Sequence, residues 1–104
     1  MAKVFIKPTC GLATTTHAQA IDMQQVTLDV ESECAAIRKI AEELKDVDPF
    51  KEMTQRGGEP IILKLGSEYC THTSCPVPAA MIKVVEVAAG MDLPKEIIIE
   101  LTND

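Results

Sequence analysis

Hydrophobic and polar positions alternate with period two in the first third of the chain and with a helical period after it. Val4 and Ile6 alternate with Phe5 and Lys7, which predicts a short strand stopped by Pro8-Thr9-Cys10-Gly11. A Thr-rich segment from Leu12 to Ala20 resumes the extended pattern. From Gln24 to Glu31, Val26, Leu28 and Val30 point one way and Thr27, Asp29 and Glu31 the other, as a half-buried strand requires. A turn centred on Asp22 joins the two segments into a hairpin. That turn sets Ala18 opposite Val26, Thr16 opposite Leu28, Thr14 opposite Val30, Leu12 opposite Ser32 and Cys10 opposite Cys34. The register places the apolar positions of both strands on one face, and one buried face is what specifies a register.

After Cys34 the apolar positions are Ile37, Ile40, Ala41, Leu44 and Val47, which is helical spacing. Ser32 is the candidate N-cap, and Asp48-Pro49 the stop, because the residue before proline avoids the helical region. Phe50 to Gln55 reads as a short helical turn and Arg56-Gly57-Gly58 as a loop. Pro60 to Cys70 fits either a strand through Ile61-Ile62-Leu63-Lys64-Leu65 or a helix opened by Pro60. Ala79 to Ala89 is apolar almost all round, so it predicts a buried helix, opened by Pro76 or Pro78 and stopped by Gly90. Within it Lys83 and Glu86 are spaced to pair. Lys95 to Leu101 predicts a last strand, with Ile97, Ile99 and Leu101 on one face and Ile98 on the other. Strands and helices segregate along the chain, so the expected class is α+β. The expected architecture is a small antiparallel sheet, an N-terminal hairpin plus the C-terminal strand, packed on two or three helices. With 104 residues, no internal repeat and no linker, residues 1-104 read as one domain.

Composition narrows the function. With no Trp, one Tyr and two Phe, the core must be aliphatic. Ten basic against 16 acidic residues give a formal net charge of −6. Phosphate backbones need clustered Lys and Arg, and base stacking needs exposed rings, so nucleic acid is excluded as the expected partner. The same charge disfavours an anionic membrane surface, and no apolar run approaches the ~20 residues of a membrane span. Residues 1–8 carry no signal-peptide pattern, so the expected location is cytoplasmic. The expected partner is another protein, and the pattern is silent on oligomeric state.

In a reducing compartment the four cysteines read as thiols, metal ligands or redox groups before they read as disulfides. Cys70-Thr71-His72-Thr73-Ser74-Cys75-Pro76 has Cys-x4-Cys spacing, within the range of zinc pairs. The hairpin register would bring Cys10 and Cys34 to the same end of the molecule. The candidate metal ligands are therefore Cys10, Cys34, Cys70 and Cys75, with His72 as a substitute ligand. Four thiolates suit a structural zinc ion or an iron–sulfur cluster. Cys34 and Cys75 each precede a predicted helix, whose dipole favours thiolate, while Glu31 and Glu33 beside Cys34 oppose it. Two other readings stay open. Free cysteine packs as a small hydrophobe, which gives a non-catalytic interaction or regulatory domain with buried structural cysteines. A thiol–disulfide protein, using Cys70 and Cys75 with Cys75 as the reactive thiol, is the third. His17 lies mid-strand, opposite in face to Thr16 and Ala18, and reads as a surface residue. No paired carboxylates, phosphate loop or nucleophile elbow is present, so no catalytic residue is assigned.

The elements Cys10-Gly11-Leu12, Ser32-Glu33-Cys34 and His72-Thr73-Ser74-Cys75-Pro76-Val77-Pro78, followed by Gly90 and Leu93-Pro94-Lys95, resemble a family of uncharacterised proteins of anaerobic bacteria and archaea. The resemblance spans nearly the whole chain. It implies that the four cysteines belong to one pattern and that the segment before Cys70 is a helix. It supplies no activity. An anaerobic setting would suit a cysteine-ligated metal or iron–sulfur domain with an electron-transfer, cluster-handling or structural role.

Overall fold

The computed structural model describes residues 1–54 and 60–103. Its strands are β1 (Ala2–Ile6), β2 (Thr14–Asp22), β3 (Gln25–Ser32) and β4 (Asp46–Val47), and its helices are α1 (Ala35–Glu43), α2 (Pro49–Glu52), α3 (Ile61–Tyr69) and α4 (Val77–Ala88). The strands form one antiparallel sheet in the order β1-β2-β3-β4. Helix α4 packs across β1 and β2, α1 packs on β3 and α3, and α3 packs on α4. The class is α+β, as the segregated pattern predicts.

The period-two pattern is realised in burial. Thr14, Thr16 and Ala18 of β2 and Val26 of β3 are buried on the helix-covered side, with Val4, Ile6, Leu28 and Val30 packed beside them. The helices close this core with Ile37, Ile40, Ile62, Met81 and Val85, each fully buried. Among the described residues its buried members include no aromatic ring, and Tyr69 packs against it from the edge. His17 lies on the opposite face, in a row with Lys3 and Asp29. Among the described residues no helix is long and apolar enough to cross a membrane.

The hairpin register differs from the predicted one by two residues. Thr14 pairs with Ser32, Thr16 with Val30 and Ala18 with Leu28. The turn is tighter than one centred on Asp22: Asp22 pairs with Gln25, and its Oδ1 accepts the Gln24 N–H at 2.8 Å. An irregularity between Ala20 and Asp22 absorbs the odd residue. A shift of two keeps every side chain on its face, so the burial pattern survives. Cys10 no longer faces Cys34, because β2 begins only at Thr14.

Helix α1 ends at Glu43, not at Asp48. Leu44 turns extended, with φ −98° and ψ 127°, and Val47 reaches the core by pairing with Val26 in β4. Both routes bury Leu44 and Val47, so the apolar spacing could not separate them. Asp48 caps α2, its Oδ1 accepting the Phe50 N–H at 2.9 Å. The loop expected at Arg56-Gly57-Gly58, and Gln55 before it, lie outside the described residues. Residues 61–69 form the helix rather than the strand. Gly90 ends α4 as expected, at φ +78°, with its N–H on the Val87 carbonyl and the Met91 N–H on the Glu86 carbonyl. This is the paired bonding of a Schellman stop, which only glycine enters without strain. Lys83 pairs with Asp92 at 3.0 Å, beyond that stop, instead of with Glu86.

The predicted C-terminal strand is absent. Residues 95–101 make no strand pairing, and Ile97, Ile98, Ile99 and Leu101 are 61%, 71%, 70% and 77% exposed. Their β-forming composition is intact, but a strand exists only when an edge pairs with it.

Candidate thiol site

Three of the four predicted ligands converge. Cys34 is the N-cap of α1, Cys70 the C-cap of α3, and Cys75 lies just ahead of α4. Each is partly buried and packs against the core. Cys34 is held by the β2–β3 end: its N–H donates to Ser32 Oγ at 3.0 Å, and that hydroxyl also bonds Thr14 Oγ1 at 2.7 Å. The N-cap is therefore Cys34 and not the expected Ser32, and no side chain caps α1; Ser32 ends β3 and holds the Cys34 N–H instead. The Cys70 N–H closes α3 on the Gly66 carbonyl at 2.9 Å, and the Cys75 N–H bonds the His72 carbonyl at 3.2 Å. These bonds define a tight loop that returns Cys75 to Cys70.

Electrostatics tie the three sulfurs together. Partial burial pushes the Cys70 thiol up to about 11, and the neighbouring charge and hydrogen bond of Cys75, then the charge of Cys34, add to it. Cys34 and Cys75 therefore both lie within electrostatic reach of Cys70, and all four cysteines are free. The Glu33 carboxylate accepts the Ala13 N–H at 3.2 Å.

Cys10 stands apart. It is exposed, in the turn closed by the Gly11 N–H on the Pro8 carbonyl at 2.9 Å. The turn belongs to the β1–β2 loop, at the sheet end where Thr14 meets Ser32, so Cys10 shares that end with Cys34 without pairing with it. His72 is exposed. Among the described residues no group of three or more His, Cys, Asp or Glu side chains is spaced to hold a metal ion. A cavity of about 260 Å³ lies at the other end of the sheet, between the β2–β3 turn, Phe50 and the end of α4, and no cysteine lines it.

Two positioning residues carry no chemical signature in the sequence. Gly66 lies where α3 meets α4: a Cβ there would stand 2.9 Å from Pro78 Cγ and 3.2 Å from Pro78 Cβ. This close approach brings the end of α3 and the start of α4 together, and with them Cys70 and Cys75. An isolated glycine inside an apolar helical pattern is the one clue the sequence offers. Gly66→Ala gains up to about 1 kcal/mol of helix propensity but overpacks a rigid ring, which costs about 1–3 kcal/mol. The expected result is net destabilisation, read as a lower urea midpoint, with the Cys70 titration moved toward its ordinary value. Glu52 is the second. It is 4% exposed, and its Oε2 and Oε1 accept the N–H groups of Ile61 and Ile62 at 3.0 and 2.9 Å. At the other end of α3 the Glu43 carboxylate beside the Tyr69 hydroxyl raises that phenol above its usual range.

A model for a family of unknown function, DUF6951, matches residues 2–101. No curated protein and no solved structure matches the chain.

Proposed function

The chain therefore belongs to the DUF6951 family, which brings no activity with it, and we propose that it is a thiol-ligand domain for a thiophilic metal ion or an iron–sulfur cluster. Cys34, Cys70 and Cys75 would supply the inner ligands, and Cys10 would close the set from its exposed turn. The observation that carries this reading is the placement of three thiols, from the sheet end, the end of α3 and the start of α4, against one core, with Cys34 and Cys75 both bearing on Cys70. Crowded thiols disfavour one another's thiolate forms; a cation inverts that balance and makes crowding favourable. The ligands are not preassembled, so binding would draw the 71–74 loop and the Cys10 turn inward. The centre would serve electron transfer, cluster handling or structural support, and an oxygen-poor cell would suit the iron–sulfur form.

Anaerobic purification with metal analysis and a visible spectrum tests this. Bound zinc or iron, lost in Cys34→Ser, Cys70→Ser and Cys75→Ser, supports the proposal. A colourless, metal-free protein that also takes up no zinc and no iron and sulfide on reconstitution overturns it. The short 71–74 loop that returns Cys75 toward Cys70 favours a second reading, a redox dithiol. There the two thiols give up two protons and two electrons to a partner disulfide, which is reduced to two thiols as the Cys70–Cys75 bond forms. Oxidation by a small disulfide, read as the loss of two hydrogens by mass and abolished in Cys75→Ser, identifies that case.

A further inference from the structure

Strand β1 is an edge of the sheet, paired only with β2, so the N–H and C=O groups of its other side are open to a further strand. Its outer face carries Lys3 and Phe5, with Lys7 just beyond, and Phe5 is 62% exposed. At the other end of the chain Lys95 to Leu101 is a strand-forming segment with no strand partner. The two segments are complementary in sequence: Lys3-Val4-Phe5-Ile6-Lys7 against Glu96-Ile97-Ile98-Ile99-Glu100. Each holds three apolar residues between two like charges, and the signs are opposite. Among the described residues the one ion pair is Lys83–Asp92, so neither Lys3 nor Lys7 and neither glutamate of the tail is engaged in one.

We propose that residues 96–101 of one chain pair with the free edge of β1 in a second copy, forming a strand-exchanged dimer. Charge and shape select this occupant. In antiparallel register Lys3 meets Glu100, Phe5 meets Ile98 and Lys7 meets Glu96; in parallel register the two glutamates change places and the match is kept. Because opposed residues share a face, Ile97 and Ile99 fall beside Val4 and Ile6 on the helix-covered side. Ile98 then covers Phe5 on the outer face. Lysines on an edge strand ordinarily repel a further strand, and the glutamates turn that barrier into selectivity for this tail. The tail is uncovered in its own chain, with Ile97, Ile98, Ile99 and Leu101 each more than half exposed. Exchange between two copies satisfies both edges at once, as a two-fold dimer requires.

Sedimentation of the full chain at micromolar concentration should give twice the 11.3 kDa monomer mass. Truncation after Lys95 should give a monomer with an unchanged circular dichroism spectrum. Lys3→Glu/Lys7→Glu in one chain, and Glu96→Lys/Glu100→Lys in another, should each be monomeric alone. An equimolar mixture should form a one-to-one heterodimer, since each edge then meets a tail of opposite charge. A monomeric full chain, meaning a tail that folds back on its own edge or waits for a foreign protein, overturns the proposal. So do charge variants that dimerise like the parent, or a mixture that stays monomeric.

Discussion

Alkylation of Cys70 by iodoacetamide should follow a pH profile that keeps rising past pH 9 and levels off only near pH 11. The thiol is pushed up to about 11 from an ordinary 9.0. At pH 8 that lowers its thiolate fraction about a hundredfold, from about a tenth to about a thousandth. A more basic thiolate is also more nucleophilic, which returns somewhat less than about tenfold, so the net rate is roughly ten times lower than for an ordinary thiol. Mass spectrometry of the peptide carrying Cys70 measures this directly. Cys75→Ser should bring the inflection down, because it removes the second cause of the shift, the neighbouring thiol's charge and hydrogen bond. An inflection at 9.0 in the parent protein would show that the sulfurs do not interact. The shift also sets a stability window. The folded state holds the Cys70 proton more tightly than the unfolded chain does, so its contribution is complete below pH 9.0. It is lost as pH rises through about 11. Stability should therefore decline across that interval, and Cys70→Ser should flatten the decline.

The reactive cysteine expected from the sequence was Cys75, on the ground that it precedes a helix; the clearest departure from ordinary thiol chemistry is at Cys70, and in the unreactive direction. Helix starts are legible as motifs, whereas the proximity of residues 34, 70 and 75 depends on how three elements pack. The strands β1 to β3 were readable because burial of one face imposes period two on Val4, Ile6, Val26, Leu28 and Val30. The register was not, because a two-residue slip preserves that same period and only the Asp22–Gln25 turn decides it. Val47 shows a similar degeneracy: a residue ten positions after Ile37 is buried by a continuing helix or by a returning strand alike. The tail shows the reverse limit. Ile97, Ile98 and Ile99 have the composition of a strand, but composition names a tendency and not the edge that satisfies it.

Glu52→Ala should be the most damaging single change outside the aliphatic core, lowering stability by about 2–4 kcal/mol. Helix α3 begins after Pro60, whose own side chain caps nothing, so the first free N–H groups depend on a residue from another helix. Glu52 answers two of them with two carboxylate oxygens, and it does so while buried. Hydrogen bonds to a charged acceptor contribute about 1.5–3 kcal/mol each, and the N–H of Ile62, buried with its residue, finds no water when the acceptor leaves. Glu52→Gln should cost less than alanine but more than nothing. One amide oxygen can still accept, while its NH2 group confronts the other N–H donor. Urea unfolding followed by circular dichroism orders the three proteins, and equal midpoints for parent and alanine variant would remove the cap from the account. The consequence reaches the thiols. Glu52 anchors the N-terminus of α3, Gly66 presses its middle against Pro78, and Cys70 is its C-cap. Loosening the helix at Glu52 should therefore let the Cys70–Cys75 pair separate before the protein unfolds. The Cys70 inflection should fall toward 9.0 in Glu52→Ala at urea concentrations where the parent still titrates near 11.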